Sequence, residues 1–214
     1  MTGQQAQQKS SLHHESTPPL QFSDNPRWLV PDAAMCRTLW GKYAMPDHIR
    51  EHSEHVAIVA EFIASAGAQA GMSVNVPAVE ACALLHDIAK SYTIVHGGNH
   101  SQLGASIVME VFGNPHIAQG VLHHVHWPWH IDVDAWCLPL CIIYADKRVM
   151  HNHVVTLDER FDDLYVRYGK TERIRQRIHE SYLQAVAIET AFSRRMGIPL
   201  NAYSLDSGRM VQRT

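Results

Sequence analysis

Residues 77–90 constrain this chain most. Val79, Ala81, Cys82, Ala83, Leu84, Leu85, Ile88 and Ala89 leave almost no polar side to a helix drawn through them. A helix that is apolar around most of its circumference has to lie inside other elements rather than on their surface. Pro77 suits its first turn, where a missing N–H is no loss. Yet this segment also carries His86, Asp87 and Lys90. Burying a carboxylate in such surroundings is costly unless it is paired or coordinates a metal. Asp87 therefore either meets a cationic neighbour, faces solvent, or holds a cation. Asp146, which directly follows the apolar run Cys141-Ile142-Ile143-Tyr144-Ala145, poses the same problem a second time.

The surrounding sequence is helical in pattern. Ala34, Met35, Leu39 and Tyr43 fit a short amphipathic helix ended by Pro46. A second helix is expected from an N-cap at Asp47, with Ile49, His52, Val56, Val59, Ala60 and Ile63 at three- and four-residue spacing, stopped by Gly67 and Gly71. Further helices are expected over 101–112, 116–124, 135–150, 157–168 and 172–196, the last with a buried stripe of Ile174, Ile178, Tyr182, Ala185 and Ile188. No run keeps a strand period for more than a few residues. The expected fold is an all-α helical bundle over residues 27–200, preceded by a polar leader, 1–26, and followed by a tail, 201–214.

Charge and cysteine usage leave several classes without support. Eighteen Lys and Arg against 21 Asp and Glu give a net charge of -3, which supplies no broad basic surface for nucleic acid. The apolar runs are too short and too interrupted to span a bilayer, and the polar leader has no secretory apolar core, so the expected location is the cytoplasm. Cys36, Cys82, Cys137 and Cys141 form no CxxC pair and read as small buried hydrophobes. G-x-S-x-G, GxxxxGK[ST] and HExxH are all absent.

Sixteen histidines remain to be explained. A mixed imidazole and carboxylate set points to iron, manganese, cobalt or zinc rather than calcium, and helix bundles build such sites from side chains that project inward. The order of the chemistry-bearing residues resembles a known family. His52 in His52-Ser53-Glu54-His55, then His86-Asp87, then Asp146 in Tyr144-Ala145-Asp146 is similar to the H...HD...D signature of the HD-domain metal-dependent phosphohydrolases. His100 in His100-Ser101-Gln102-Leu103-Gly104-Ala105 and His124 in Val121-Leu122-His123-His124 resemble the additional histidines of its binuclear members. The six-ligand order is that of the branch containing symmetrical diadenosine tetraphosphate hydrolases. Ala89 stands where the common HDIG form has glycine, a position that is not a ligand.

The resemblance implies two divalent ions, iron or manganese first, with cobalt, nickel or zinc as other candidates. Asp87 would bridge them, with His52, His86 and Asp146 on one and His100 and His124 on the other. It also implies hydrolysis of a phosphate ester or anhydride, of a small molecule such as a nucleotide, by a metal-bound hydroxide. Asp87 and Lys90 are the catalytic candidates. Lys90, one turn beyond His86, would reach a phosphate oxygen, or else it is a lysine at a helix C-terminus favoured by the dipole. Lys147 and Arg148 are substrate-binding candidates that equally fit a solvated pair. Two other readings use the same ligands: a di-iron oxygenase, and a non-catalytic nucleotide-binding regulatory module. Substrate choice is expected from residues 91–99 and 125–134. Trp127-Pro128-Trp129 in the second of these is read as packing; His124 is chosen over its neighbours by the motif, and His123 and His126 stay open as replacements for it.

Overall fold

The computed structural model describes residues 19–22 and 25–213, so most of the expected leader, with His13 and His14, lies outside the described residues. Its order is α1 (Ala33–Lys42), α2 (Asp47–Gln69), α3 (Val76–Leu85), α4 (Lys90–His96), α5 (His100–Phe112), α6 (Pro115–His123), α7 (Cys137–Lys147), β1 (Val149–Met150), β2 (His153–Val154), α8 (Leu157–Tyr168) and α9 (Glu172–Met196). A 3-10 turn (Leu200–Ala202), β3 (Tyr203–Asp206) and β4 (Arg209–Gln212) complete it. Apart from two short hairpins the bundle is all-α, as the periodicity predicts.

The apolar third helix is central. α3 packs against α1, α2, α6 and α7, and every residue from Cys82 to Ala89 is essentially sealed from solvent. Asn75 caps it by accepting from the Ala78 N–H, with Pro77 in the first turn. All four cysteines are free and buried, and burial pushes the Cys36 and Cys137 thiols up to about 12. No helix among the described residues is long and apolar enough to cross a membrane.

The third helix ends earlier than its apolar run predicts, and the reason is hydrogen bonding. The Ala83 carbonyl accepts from His86 Nδ1 at 2.7 Å and the Leu84 carbonyl from Trp40 Nε1 at 2.8 Å. Those are the two acceptors that the Asp87 and Ile88 N–H groups need to continue an α-helix. The chain instead makes tight turns, Ile88 N–H to Leu85 O and Lys90 N–H to Asp87 O, and α4 starts at Lys90. Residues 91–99, one of the two segments expected to set substrate choice, are thus largely helix.

Other departures are local. The second helix takes Pro46 as its N-cap and Asp47 as its first residue, and it runs through Gly67 to Gln69; the break falls at Gly71, whose φ is +81°. The helix expected over 135–150 is shorter, and its end enters the antiparallel hairpin β1–β2. Residues 203–212, read as tail, pair as the hairpin β3–β4. Neither ladder has the length to leave a strand period in the sequence.

Arg148 links these pieces. Buried at the end of α7, it donates to the carbonyls of Val155, Leu200 and Tyr203 and to the Tyr144 hydroxyl, which in turn donates to Glu189 at 2.6 Å. It is a clamp on the C-terminal segments, and the solvated-pair reading of Lys147 and Arg148 does not hold, because both are buried.

Close approach of α6 to α3 and α7 depends on Gly120. A Cβ there would sit 2.3 Å from Leu138 Cδ2 and 2.5 Å from the buried Cys82 Sγ. Overpacking of this kind costs about 1–3 kcal/mol. Gly120→Ala is expected to lose that much stability in denaturant unfolding; an unchanged midpoint and slope would show that the interface yields freely.

Candidate metal centre

Three helices point their C-terminal ends at one place. His86 is the residue after α3, His124 the residue after α6, and Asp146 lies one residue from the end of α7; His100 opens α5 and His52 projects from the second turn of α2. Helix C-termini carry partial negative charge, so their convergence favours a cation before any side chain is counted.

His86 and His124 are aimed by the same local device. Each donates Nδ1–H to the carbonyl three residues back, Ala83 and Val121, both at 2.7 Å. Those carbonyls are orphans of a helix end, so one bond satisfies the backbone and fixes the ring. With the proton on Nδ1, each Nε2 presents a lone pair. His86 Nε2 lies 3.4 Å from Asp87 Oδ2 and 3.8 Å from Asp146 Oδ1, while His124 Nε2 lies 3.6 Å from Asp87 Oδ1. His100 Nε2 is 3.4 Å from Asp87 Oδ1 and 3.1 Å from His124 Nε2. His52 Nε2 is 3.0 Å from Asp146 Oδ1.

Acceptors facing acceptors inside a protein need an electrophile between them. His86 Nε2 and Asp87 Oδ1 are buried and have no hydrogen-bond partner among the described residues. The ligand atoms of His52, His86 and Asp87 form one compact group, and those of Asp87, His100 and His124 another; within each group they lie within 4.8 Å of one another. Asp87 belongs to both. The donor set, imidazole nitrogens with buried carboxylates, fits a transition-metal ion.

The electrostatics keep the two aspartates ionised and His100 neutral. Burial pushes the Asp87 carboxyl up, but His86, His124 and Lys90 outweigh it and hold it well below the usual range. Burial likewise raises Asp146, against the stronger combined pull of Lys147, His52 and His86. For His100, burial and then the neighbouring His124 bring the imidazole down to about 4, so it is neutral at physiological pH.

Lys90 donates to Asp87 Oδ2 at 2.6 Å. It stands at the first position of α4 rather than at a helix C-terminus, and a cation is disfavoured there by the dipole. The dipole explanation of Lys90 is therefore excluded, and Asp87 is what holds it. Lys147 pairs with Asp146 Oδ2. Arg148 is not brought to the cluster; its donors are spent on the clamp.

The other described histidines fall outside the ligand groups. The His123 ring meets Trp127 and Trp129, with centroids at 5.5 and 5.0 Å, in an aromatic cluster that includes Trp136. Trp127 is buried, in keeping with a packing role. His55 bonds the Glu51 carbonyl, and His96 packs on Tyr92. Sequence reasoning missed the Nδ1 bonds to Ala83 and Val121. The signal was present as a histidine ending an apolar helix, twice.

A family model for the HD domain matches residues 49–180, a span that contains all six candidate ligands. No curated protein and no solved structure matches the chain. With the match covering most of the chain and the His86-Asp87 pair at the centre of the buried cluster, the chain belongs to the HD-domain family.

Proposed function

We propose that the protein is a metal-dependent phosphohydrolase of the cytoplasm that cleaves a phosphate ester or anhydride of a small molecule such as a nucleotide. The carrying observation is that Asp87 is shared by two groups of ligand atoms while its second oxygen holds Lys90. His52, His86 and Asp146 would hold one ion with Asp87, and His100 and His124 a second, with iron or manganese preferred over cobalt, nickel and zinc. This six-residue set supports a place in the branch that is similar to symmetrical diadenosine tetraphosphate hydrolases. Divalent ions bound there supply Lewis acidity, which activates water and offsets charge on a phosphate.

The protein's own groups then have distinct tasks. Asp87 and Asp146 keep negative charge in a buried place and so define where cations are held. His86 and His124 are fixed by backbone bonds, which preorganises their lone pairs. Lys90 and Lys147 bring ammonium groups to the carboxylates. With cations held by Asp87 and Asp146, Lys90 and Lys147 would be available to hold phosphate oxygens. Lys90 is the observation that favours phosphate over oxygen chemistry, since an oxygen-activating pair has no need of an ammonium beside its shared carboxylate.

Asp87→Ala is expected to lose bound metal in elemental analysis and turnover of phosphoesters together; full activity in a metal-free variant would contradict the mechanism. Lys90→Met should keep the metal content and lose about 100-fold or more in kcat/KM, the scale of removing one charge-stabilising donor. A Lys90→Met protein with normal kinetics would remove the lysine from the reaction.

A further inference from the structure

The outer halves of α8 and α9 form a helical hairpin that the rest of the bundle leaves uncovered. No residue from Asp162 to Gln184 is buried, although Phe161 and Ala185 on either side of that span are. The apolar stripe expected on α9 is therefore buried only from Ala185 onward, and Ile174 is left 37% exposed. Helices in water are held chiefly by the packing of an apolar face. α8 and α9 pack on each other, with the Phe161 and Tyr182 rings at 5.3 Å, yet the outer side of α8 stays open.

That open side has an ordered pattern. Asp158, Asp162, Tyr165 and Val166 fall at i, i+4, i+7 and i+8, which places them on one face of α8, turned away from buried Leu157 and Phe161. Tyr165 and Val166 are 51% and 74% exposed. Past them the tip of the hairpin is basic, with Lys170, Arg173 and Arg177; its one acidic residue, Glu172, is taken by Arg175 at 3.0 Å. Asp163 is likewise taken, by Arg167 at 3.3 Å. Asp162, Arg173 and Arg177 make no ion pair or hydrogen bond among the described residues. From base to tip the hairpin thus reads acidic, apolar, basic.

This order is complementary to itself. A second hairpin laid antiparallel across Tyr165 and Val166 brings the acidic base of each opposite the basic tip of the other, the arrangement that a two-fold interface requires. An anionic surface fits worse, because Asp158 and Asp162 share the face of the exposed apolar residues and would be pressed against it. We propose that the α8–α9 hairpin is a dimer interface, in which two copies of the chain pair antiparallel about Tyr165 and Val166 and Asp162 of each lies opposite Arg173 of the other. The patch is small for a permanent dimer, so the expected association is in the micromolar range.

Sedimentation equilibrium of the full chain from about 1 to about 200 μM tests this. Wild-type protein is expected to show a monomer–dimer equilibrium that weakens at least about tenfold when NaCl is raised from about 0.05 M to about 0.5 M. Val166→Asp, at an exposed position, should weaken dimerisation by at least about tenfold. Asp162→Lys and Arg173→Glu should each weaken it too, and mixing those two variants in equal amounts should recover a dimer, because each new charge then meets its complement on the other chain. Recovery also shows that both variants are folded. A wild type that stays monomeric throughout, including one that binds vesicles of anionic phospholipid instead, would overturn the proposal. So would a dimer indifferent to all three substitutions, or charge variants whose mixture remains monomeric.

Discussion

A buried carboxylate facing lone pairs is the constraint around which this fold is arranged. Asp87 is 1% exposed, with His86, His100 and His124 each presenting Nε2 within 3.6 Å of one of its oxygens. Uncompensated, such an arrangement would be among the most expensive features a small domain can carry. Lys90 at 2.6 Å compensates one oxygen only. A cation is the compensation that the remaining geometry accepts, and the ends of α3, α6 and α7 converge where their dipoles favour it.

The same constraint explains why the most apolar helix is cut short. Continuing α3 through Asp87 and Ile88 would need the Ala83 and Leu84 carbonyls, and these are taken by His86 and Trp40. Ending the helix there turns Asp87 into the cluster and lets a new helix begin at Lys90. Local helical hydrogen bonding is exchanged for the orientation of a histidine and an aspartate. α6 repeats half of the device, with His124 bonded to the Val121 carbonyl. The site is a property of how helices end, and the surrounding packing, including the close approach at Gly120, keeps those ends together.

Much of this was legible in the sequence because its signals are periodic or conspicuous. The apolar circumference of residues 79–89 announced a central helix, and two aspartates placed after apolar runs, Asp87 and Asp146, announced a charge problem inside the bundle. α8 and α9 follow their expected spans. What could not be read were features set by partners distant in sequence. Trp40 ends α3 from 44 residues away. Arg148 looks in sequence like half of a solvated basic pair, yet it binds carbonyls at Leu200 and Tyr203. The hairpins β1–β2 and β3–β4 are too short to show a strand period.

The central claim is that Asp87 is shared between two cation positions. Anomalous diffraction from crystals of the protein grown with manganese tests it most directly. The account predicts two peaks, one on each side of the Asp87 carboxylate, the first contacted by His52, His86 and Asp146 and the second by His100 and His124. A single peak that does not touch Asp87, or occupancy confined to other histidines, would contradict it.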